Sequence, residues 1–229
     1  MISEIAFDRG EPIGLHSKYA SHKKIKKEAR AFSEDSLPSK KIYFLYSTEL
    51  YDKGMLNGPS NQFNWYGGIQ EKGTYLDGRR EGEHLSRYSI AYSKTNYKNG
   101  RLNGYSKTYL TLPRKDTILL YDLNFSDGYL NGKSVTYHTN GKLSKQGFFL
   151  DGEPIDDYEA YDTLGFKYHY IKFKYSLPVE EKIWEENELS VRYQFDWQDS
   201  IYFEPSDITN SQSLERMLID LGFAGDYLK

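Results

Sequence analysis

The chain has 229 residues and a formal net charge of -3, with 22 tyrosines, 12 phenylalanines, 19 glycines and no cysteine. The missing cysteine excludes disulfides, thiol nucleophiles and cysteine-held zinc or iron–sulfur clusters. An aromatic content of 16 % argues against a disordered chain, which is poor in large rings. No segment approaches the roughly 20 apolar residues of a membrane-spanning helix. Met1 to Pro12 carries no apolar stretch of the kind found in a secretory signal, so a soluble, cytoplasmic protein is expected.

In chain order, a glycine–aromatic pattern recurs six times. Its first copy is Phe7, Gly10, Gly14 and Tyr19, and the second runs Gly54, Gly58, Phe63, Gly67, Gly73, Tyr75, Gly78. Tyr75, Gly78, Gly82 and Tyr88 form the third core, and Tyr97, Gly100, Gly104 and Tyr109 the fourth. The fifth, Phe125 to Gly152, is the most complete: Gly128, Gly132, Tyr137, Gly141-Lys142-Leu143, Gly147, Phe149. In the sixth, Phe149 and Gly152 are followed by Asp156 in place of the second glycine, then Tyr161 and Gly165. The cores fall near 7–19, 51–63, 75–88, 97–109, 125–137 and 149–161, in a repeat array spanning 1–170. Most intervals fit a unit of 24 residues, and the longer one between Gly10 and Gly54 predicts a further degenerate unit across Ser33 to Tyr51.

Eight glycines follow Asp or Asn, as in Asn57-Gly58, Asp77-Gly78, Asn103-Gly104 and Asp151-Gly152. Such pairs supply the positive φ values of tight type I′ hairpin turns. Tyr, Phe, Thr and Val between the turns suit strands. Each repeat therefore reads as a hairpin, and the array as an elongated, twisted antiparallel β-meander, with rings packing over glycines of adjacent strands.

The spacing aromatic-xx-Gly-xxx-Gly-xxxx-Tyr, with Asn-Gly-Lys-Leu and Gly-x-aromatic following, resembles the MORN repeat, and Tyr137 to Gly152 looks most like its bacterial variant. The resemblance implies a single-sheet meander and no catalytic residues. It also implies a protein-binding role, since bacterial variants include antitoxins and immunity proteins that neutralise a cognate toxin. Scaffolds and peripheral lipid-binding proteins are the other role such arrays fill.

Beyond Tyr170 the glycine rhythm stops until Gly222. Residues 171–229 are expected to form a small capping segment: strands over Tyr168 to Tyr175, Ser190 to Trp197 and Ser200 to Glu204, then a short helix near 211–221 carrying Leu214, Met217, Leu218 and Leu221. Charge is uneven along the chain. Residues 1–150 hold 23 Lys+Arg against 15 Asp+Glu, whereas 151–229 hold 7 against 18. The basic excess gathers at Lys23, Lys24, Lys26, Lys27 and Arg30, which would suit an anionic lipid surface but lack an apolar helix face to hold one.

The five histidines, His16, His22, His84, His138 and His169, show no metal-ligand spacing. His16 and His84 stand two residues after the second glycine of a repeat, where Ser60, Ser106 and Ser134 occur in other copies, and are expected at the surface. Neither a nucleophile elbow nor a phosphate loop is present, so the reading is a non-enzyme without metal or cofactor. Protein is the expected partner and nucleic acid is not. Candidate partner-binding residues are the acidic set Asp156, Asp157, Glu159, Asp162, Glu180, Glu181, Glu185 and Glu186, with Trp184 beside them. The remaining two are Trp65 and Tyr66, rings outside the repeat consensus and expected in a turn.

Overall fold

The computed structural model describes residues 2–21, 43–112, 117–185 and 188–195. The described residues are all-β: their 17 strands form one open antiparallel sheet in a meander. By contact density the chain divides into two units, Met1–Gly104 and Tyr105–Lys229.

In the first unit, β1 (Ile2–Asp8) pairs with β2 (Glu11–Ser21), and β2 with β3 (Tyr43–Asp52). Pairing continues through β4 (Met55–Phe63), β5 (Ile69–Leu76), β6 (Arg79–Tyr88) and β7 (Ala91–Lys98), and β8 (Arg101–Thr111) begins within this unit. β2 lies in direct register on β3, from Gly14↔Tyr51 to Ser21↔Tyr43. Of the degenerate unit expected across Ser33 to Tyr51, 43–51 belongs to β3 and 33–42 lies outside the described residues.

In the second unit, β9 (Thr117–Ser126) pairs with β10 (Tyr129–Leu130) and β11 (Gly132–Tyr137), and β11 pairs with β12 (Leu143–Leu150). β12 then takes β13 (Glu153–Pro154) and β14 (Tyr158–Tyr161), followed by β15 (Lys167–Lys174), β16 (Leu177–Glu185) and β17 (Glu188–Gln194). The strand expected over 168–175 is present as β15, and that over 190–197 as far as Gln194 within β17, with 196 and 197 outside the described residues. Ser200 to Glu204 and the helix near 211–221 lie outside the described residues.

The two glycines of each repeat do different work. Arg9-Gly10, Lys53-Gly54, Asp77-Gly78, Asn99-Gly100, Asp127-Gly128 and Asp151-Gly152 all have positive φ at both positions, as a type I′ turn requires. The second glycines are not turns, contrary to the expectation for Asn57-Gly58, Asn103-Gly104 and Asn131-Gly132. Gly58 sits inside β4 at φ 126, where the register passes from Glu49↔Ser60 to Tyr51↔Leu56. The strand carrying it therefore has two more residues than its partner. The same offset surrounds Gly14 and Gly82, and it separates β10 from β11 and β13 from β14. At Gly14, Gly58, Gly82 and Gly132 the bulge residue has positive φ, which glycine supplies at little cost, whereas between β13 and β14 the offset is made without a positive φ at Ile155, Asp156 or Asp157.

Hairpins are also stitched to one another at this edge. The turn amides of Gly54, Gly78, Gly100 and Gly152 donate to the carbonyls of Pro12, Leu56, Arg80 and Leu130, two residues past the preceding turn glycine, at 2.8–3.1 Å. The hairpin of β15 and β16 keeps the same turn shape without glycine, with Tyr175 at φ 53 and Ser176 at φ 61.

Within each unit one face of the strands carries the core. In the first unit it buries His16, Ala20, Ser47, His84 and Thr95; in the second, Leu123, Phe125, Leu130, Ser134, Phe149, Tyr158, Ala160, Ile171 and Phe173. Rings cover glycines here as expected. His84 lies over Gly73, and Phe149 and Tyr158 close over Gly147.

Candidate functional site

His16 and His84 are buried, at 3 % and 8 % exposure, not at the surface as their polarity suggested. The repeat places that position on the core face, and flanking rings cover it: His16 stacks on Tyr51 at 4.4 Å, and His84 meets Tyr75 and Tyr97 edge-on at 5.4 and 5.1 Å. A ring nitrogen of His84 bonds the Thr74 carbonyl at 2.9 Å. Burial pushes the His84 imidazole below its ordinary range, so it stays neutral at pH 7 and packs as a polar ring. A shallow depression lined by Ser60, Gln62, Glu71, Tyr75, Arg80 and His84 flanks Gly73, and Arg80 there donates to the Tyr97 hydroxyl at 3.0 Å.

Most of the acidic candidates are engaged inside the second unit. Glu159 accepts from Gln146 at 2.5 Å and Tyr161 at 2.8 Å, and pairs with Lys167. Burial alone would raise its carboxyl, but the donors Lys167, Gln146 and Tyr161 outweigh that and hold it below the ordinary carboxylate range. Asp157 accepts from the Tyr170 hydroxyl at 3.0 Å. Glu180 pairs with Lys182 and Arg192 at 3.1 and 2.9 Å, and Glu181 with His169 at 2.8 Å. Asp162 spends one carboxylate oxygen on three amides of its own loop, those of Leu164, Gly165 and Phe166. Asp156 and Glu185 are exposed, Trp184 is half-buried on β16 opposite Leu189, and Glu186 lies outside the described residues. Asp157, Glu159, Glu180 and Glu181 are thus engaged with partners on neighbouring strands and Asp162 with its own loop, rather than converging in one cluster. Among the described residues no group of three or more His, Asp or Glu side chains is placed to hold a metal.

Trp65 and Tyr66 do occupy a turn, and the structure gives them company. Asn64 organises the loop: its Oδ1 accepts from the Tyr66 and Gly68 amides at 3.0 and 2.8 Å, and its backbone closes the loop onto Gly67 and Gly68. The rings of Trp65 and Tyr66 lie 3.5 Å apart. Ile69 opens β5 just after this loop, Tyr88 ends the paired strand β6, and Ile90 tips the next turn. Exposure is 66 % for Tyr66, 36 % for Ile69, 63 % for Tyr88 and 50 % for Ile90.

Charge is almost absent from this edge. Residues 59–70 contain none, and 84–93 contain only Arg87 among Asp, Glu, Lys and Arg, its guanidinium 5.3 Å from the Tyr92 ring centre. Exposed aromatic and aliphatic side chains with few charges have the composition of an interface centre rather than of ordinary surface. Sequence reasoning found Trp65 and Tyr66 but missed Ile69, Tyr88 and Ile90, which join them only through the pairing of β5 with β6. The charge-free run from Pro59 to Gln70 was the readable signal.

No protein-family model matches the chain, and no curated protein matches it.

Proposed function

We propose that this is a non-enzymatic protein-binding repeat protein of MORN-like type, whose partner is a cognate bacterial toxin that it neutralises by occlusion, as an immunity protein or antitoxin does. The observation that carries this reading is the charge-poor loop edge of the first unit, where Tyr66, Ile69, Tyr88 and Ile90 stand exposed on a rigid sheet. Hydrophobic side chains in a soluble sheet favour burial in a complex. Rings held by a hydrogen-bonded loop lose little entropy on binding. The pairing of Glu159, Glu180 and Glu181 within the sheet supports a binding role over acid–base chemistry, which needs carboxyl groups converging on a substrate.

The test is co-purification of the full chain with the product of the neighbouring gene, followed by affinity measurement with a Tyr66→Ser/Tyr88→Ser variant. A stable complex weakened more than tenfold by the double substitution is expected, as for interface anchors. A wild-type chain that captures no neighbouring product would overturn the toxin assignment. A variant that binds as wild type would overturn the site.

A further inference from the structure

We infer that this surface selects its partner by charge as well as by shape: the first unit takes an acidic segment with an apolar centre. The inference rests on the protein-binding reading above and adds the partner's chemistry.

Lys72 of β5 is directly opposite Leu85 of β6, and Leu85 is opposite Lys94 of β7. Directly opposed residues of an antiparallel pair share a face, so the three form one row across three strands. His84 and Gly73 alternate with them, which puts the row on the face opposite the buried histidine. Arg87, opposite Tyr92, follows two residues after Leu85 on that same face, toward the loop edge. Ile69, opposite Phe63 across a one-residue bulge in β5, falls on the face of Lys72 and continues this surface toward the loop of Tyr66, whereas Tyr88 alternates with Arg87 and borders the same edge from the histidine face.

Carboxylates on this face of the three strands are Glu81 and Glu83, both toward the opposite, hairpin-turn edge. Glu81 already accepts from the Asn99 amide at 2.9 Å. Among the described residues, neither Lys72 nor Lys94 is within ion-pair distance of a carboxylate. The half of the face that leads to the apolar edge is thus purely cationic: Lys72, Lys94 and Arg87. A cationic rim on an uncharged aromatic–aliphatic centre is complementary to carboxylates flanking an apolar side chain, and it repels a basic competitor.

Two strand spacings put Lys72 and Lys94 on the order of 10 Å apart. Carboxylates two or four residues apart share one face of an extended segment and stand about 7 or 13 Å apart, which brackets that distance within the reach of two flexible lysine side chains. Single-stranded nucleic acid fits less well, because it needs cations interleaved with stacking rings. Here the run 59–70 that presents Trp65 and Tyr66 has no cation, and two of the exposed side chains are isoleucines.

The experiment uses the full chain against immobilised 16-residue peptides of three kinds, apolar-centred with acidic, neutral or basic flanks. A dT16 oligonucleotide and anionic phosphatidylserine vesicles are competitors. At least tenfold preference for the acidic peptides is expected, weakening as salt rises. Lys72→Glu/Lys94→Glu should shift the preference to the basic peptides, and Lys72→Gln/Lys94→Gln should erase it, which keeps the test valid if the reversed variant folds poorly. Equal capture of all three kinds, or an acidic preference untouched by either lysine variant, would overturn the inference. So would displacement of the peptides by dT16 or vesicles. If Tyr66→Ser/Tyr88→Ser abolishes capture while the lysine variants leave it unchanged, protein binding at this edge stands and the charge selection falls. If neither set alters capture, both fall.

Discussion

Replacing Gly73 with alanine should destabilise the protein by about 2 kcal/mol, although alanine normally improves on glycine within a strand by roughly 0.5–1 kcal/mol. A methyl group at this position would stand 2.0 Å from Nδ1 and 2.2 Å from Cε1 of His84, well inside van der Waals contact. The imidazole has two responses. It can stay and force the strands apart, an overpacking cost of about 1–3 kcal/mol. Alternatively it can swing out, losing its 2.9 Å bond to the Thr74 carbonyl, worth about 1 kcal/mol, and its edge contacts with Tyr75 and Tyr97, worth about 0.5–1 kcal/mol each. Both routes lead to a similar total, equivalent to a fall in Tm of about 4–8 °C for a chain of this size. Urea and thermal unfolding followed by far-ultraviolet circular dichroism would measure it. The informative comparison is Gly73→Ala in a His84→Ser background, which places at position 84 the residue found at Ser60, Ser106 and Ser134. There the methyl has room, and the two substitutions should couple by at least about 1 kcal/mol. A neutral Gly73→Ala, or a loss of the same size with serine at 84, would refute the ring-over-glycine packing.

Other outcomes follow from the same geometry. The Glu159 carboxyl is held below its ordinary value of 4.5 in the folded chain, so its contribution is complete above that pH and is lost as pH falls through the folded value. Glu159→Gln should therefore cost about 1–2 kcal/mol at pH 7, with the difference from wild type closing below pH 4.5 in paired unfolding curves. Tyr175→Asn/Ser176→Gly should stabilise by about 1–2 kcal/mol, because both residues now hold positive φ with ordinary side chains; an unchanged urea midpoint would show that the turn is not strained. Asn64→Ala should speed hydrogen exchange at the amides of Tyr66 and Gly68, which its side chain now accepts from, and should weaken partner binding with little change in Tm.

The acidic third of the chain shows why composition misleads about sites. Counted along the sequence, Asp157, Glu159, Asp162, Glu180 and Glu181 look like one anionic surface. In the sheet each meets a specific donor: Tyr170, Lys167, the loop amides after Asp162, Lys182 with Arg192, and His169. Those donors are 2 to 13 residues away along the chain, and for Tyr170, Lys167, Arg192 and His169 it is strand register that decides which group faces which. The edge of Tyr66, Ile69, Tyr88 and Ile90 has the reverse history, since its members look unrelated until β5 pairs with β6.

What the sequence determined by itself was local. Turn pairs such as Asp77-Gly78 and Asp127-Gly128 set positive φ at two successive residues, and that conformation dictates a hairpin whatever lies beyond it. The recurrence of Tyr and Phe at a fixed distance before the first glycine then implies a repeated sheet. Only the tertiary structure decided what depends on two strands at once. It put Gly58 and Gly132 in bulges instead of turns, and it buried His16 and His84. It also engaged most of the described acidic candidates with donors in the sheet and left one edge apolar and nearly free of charge. A φ preference belongs to a residue and its immediate neighbours, whereas burial and charge pairing belong to a register, which no single strand carries.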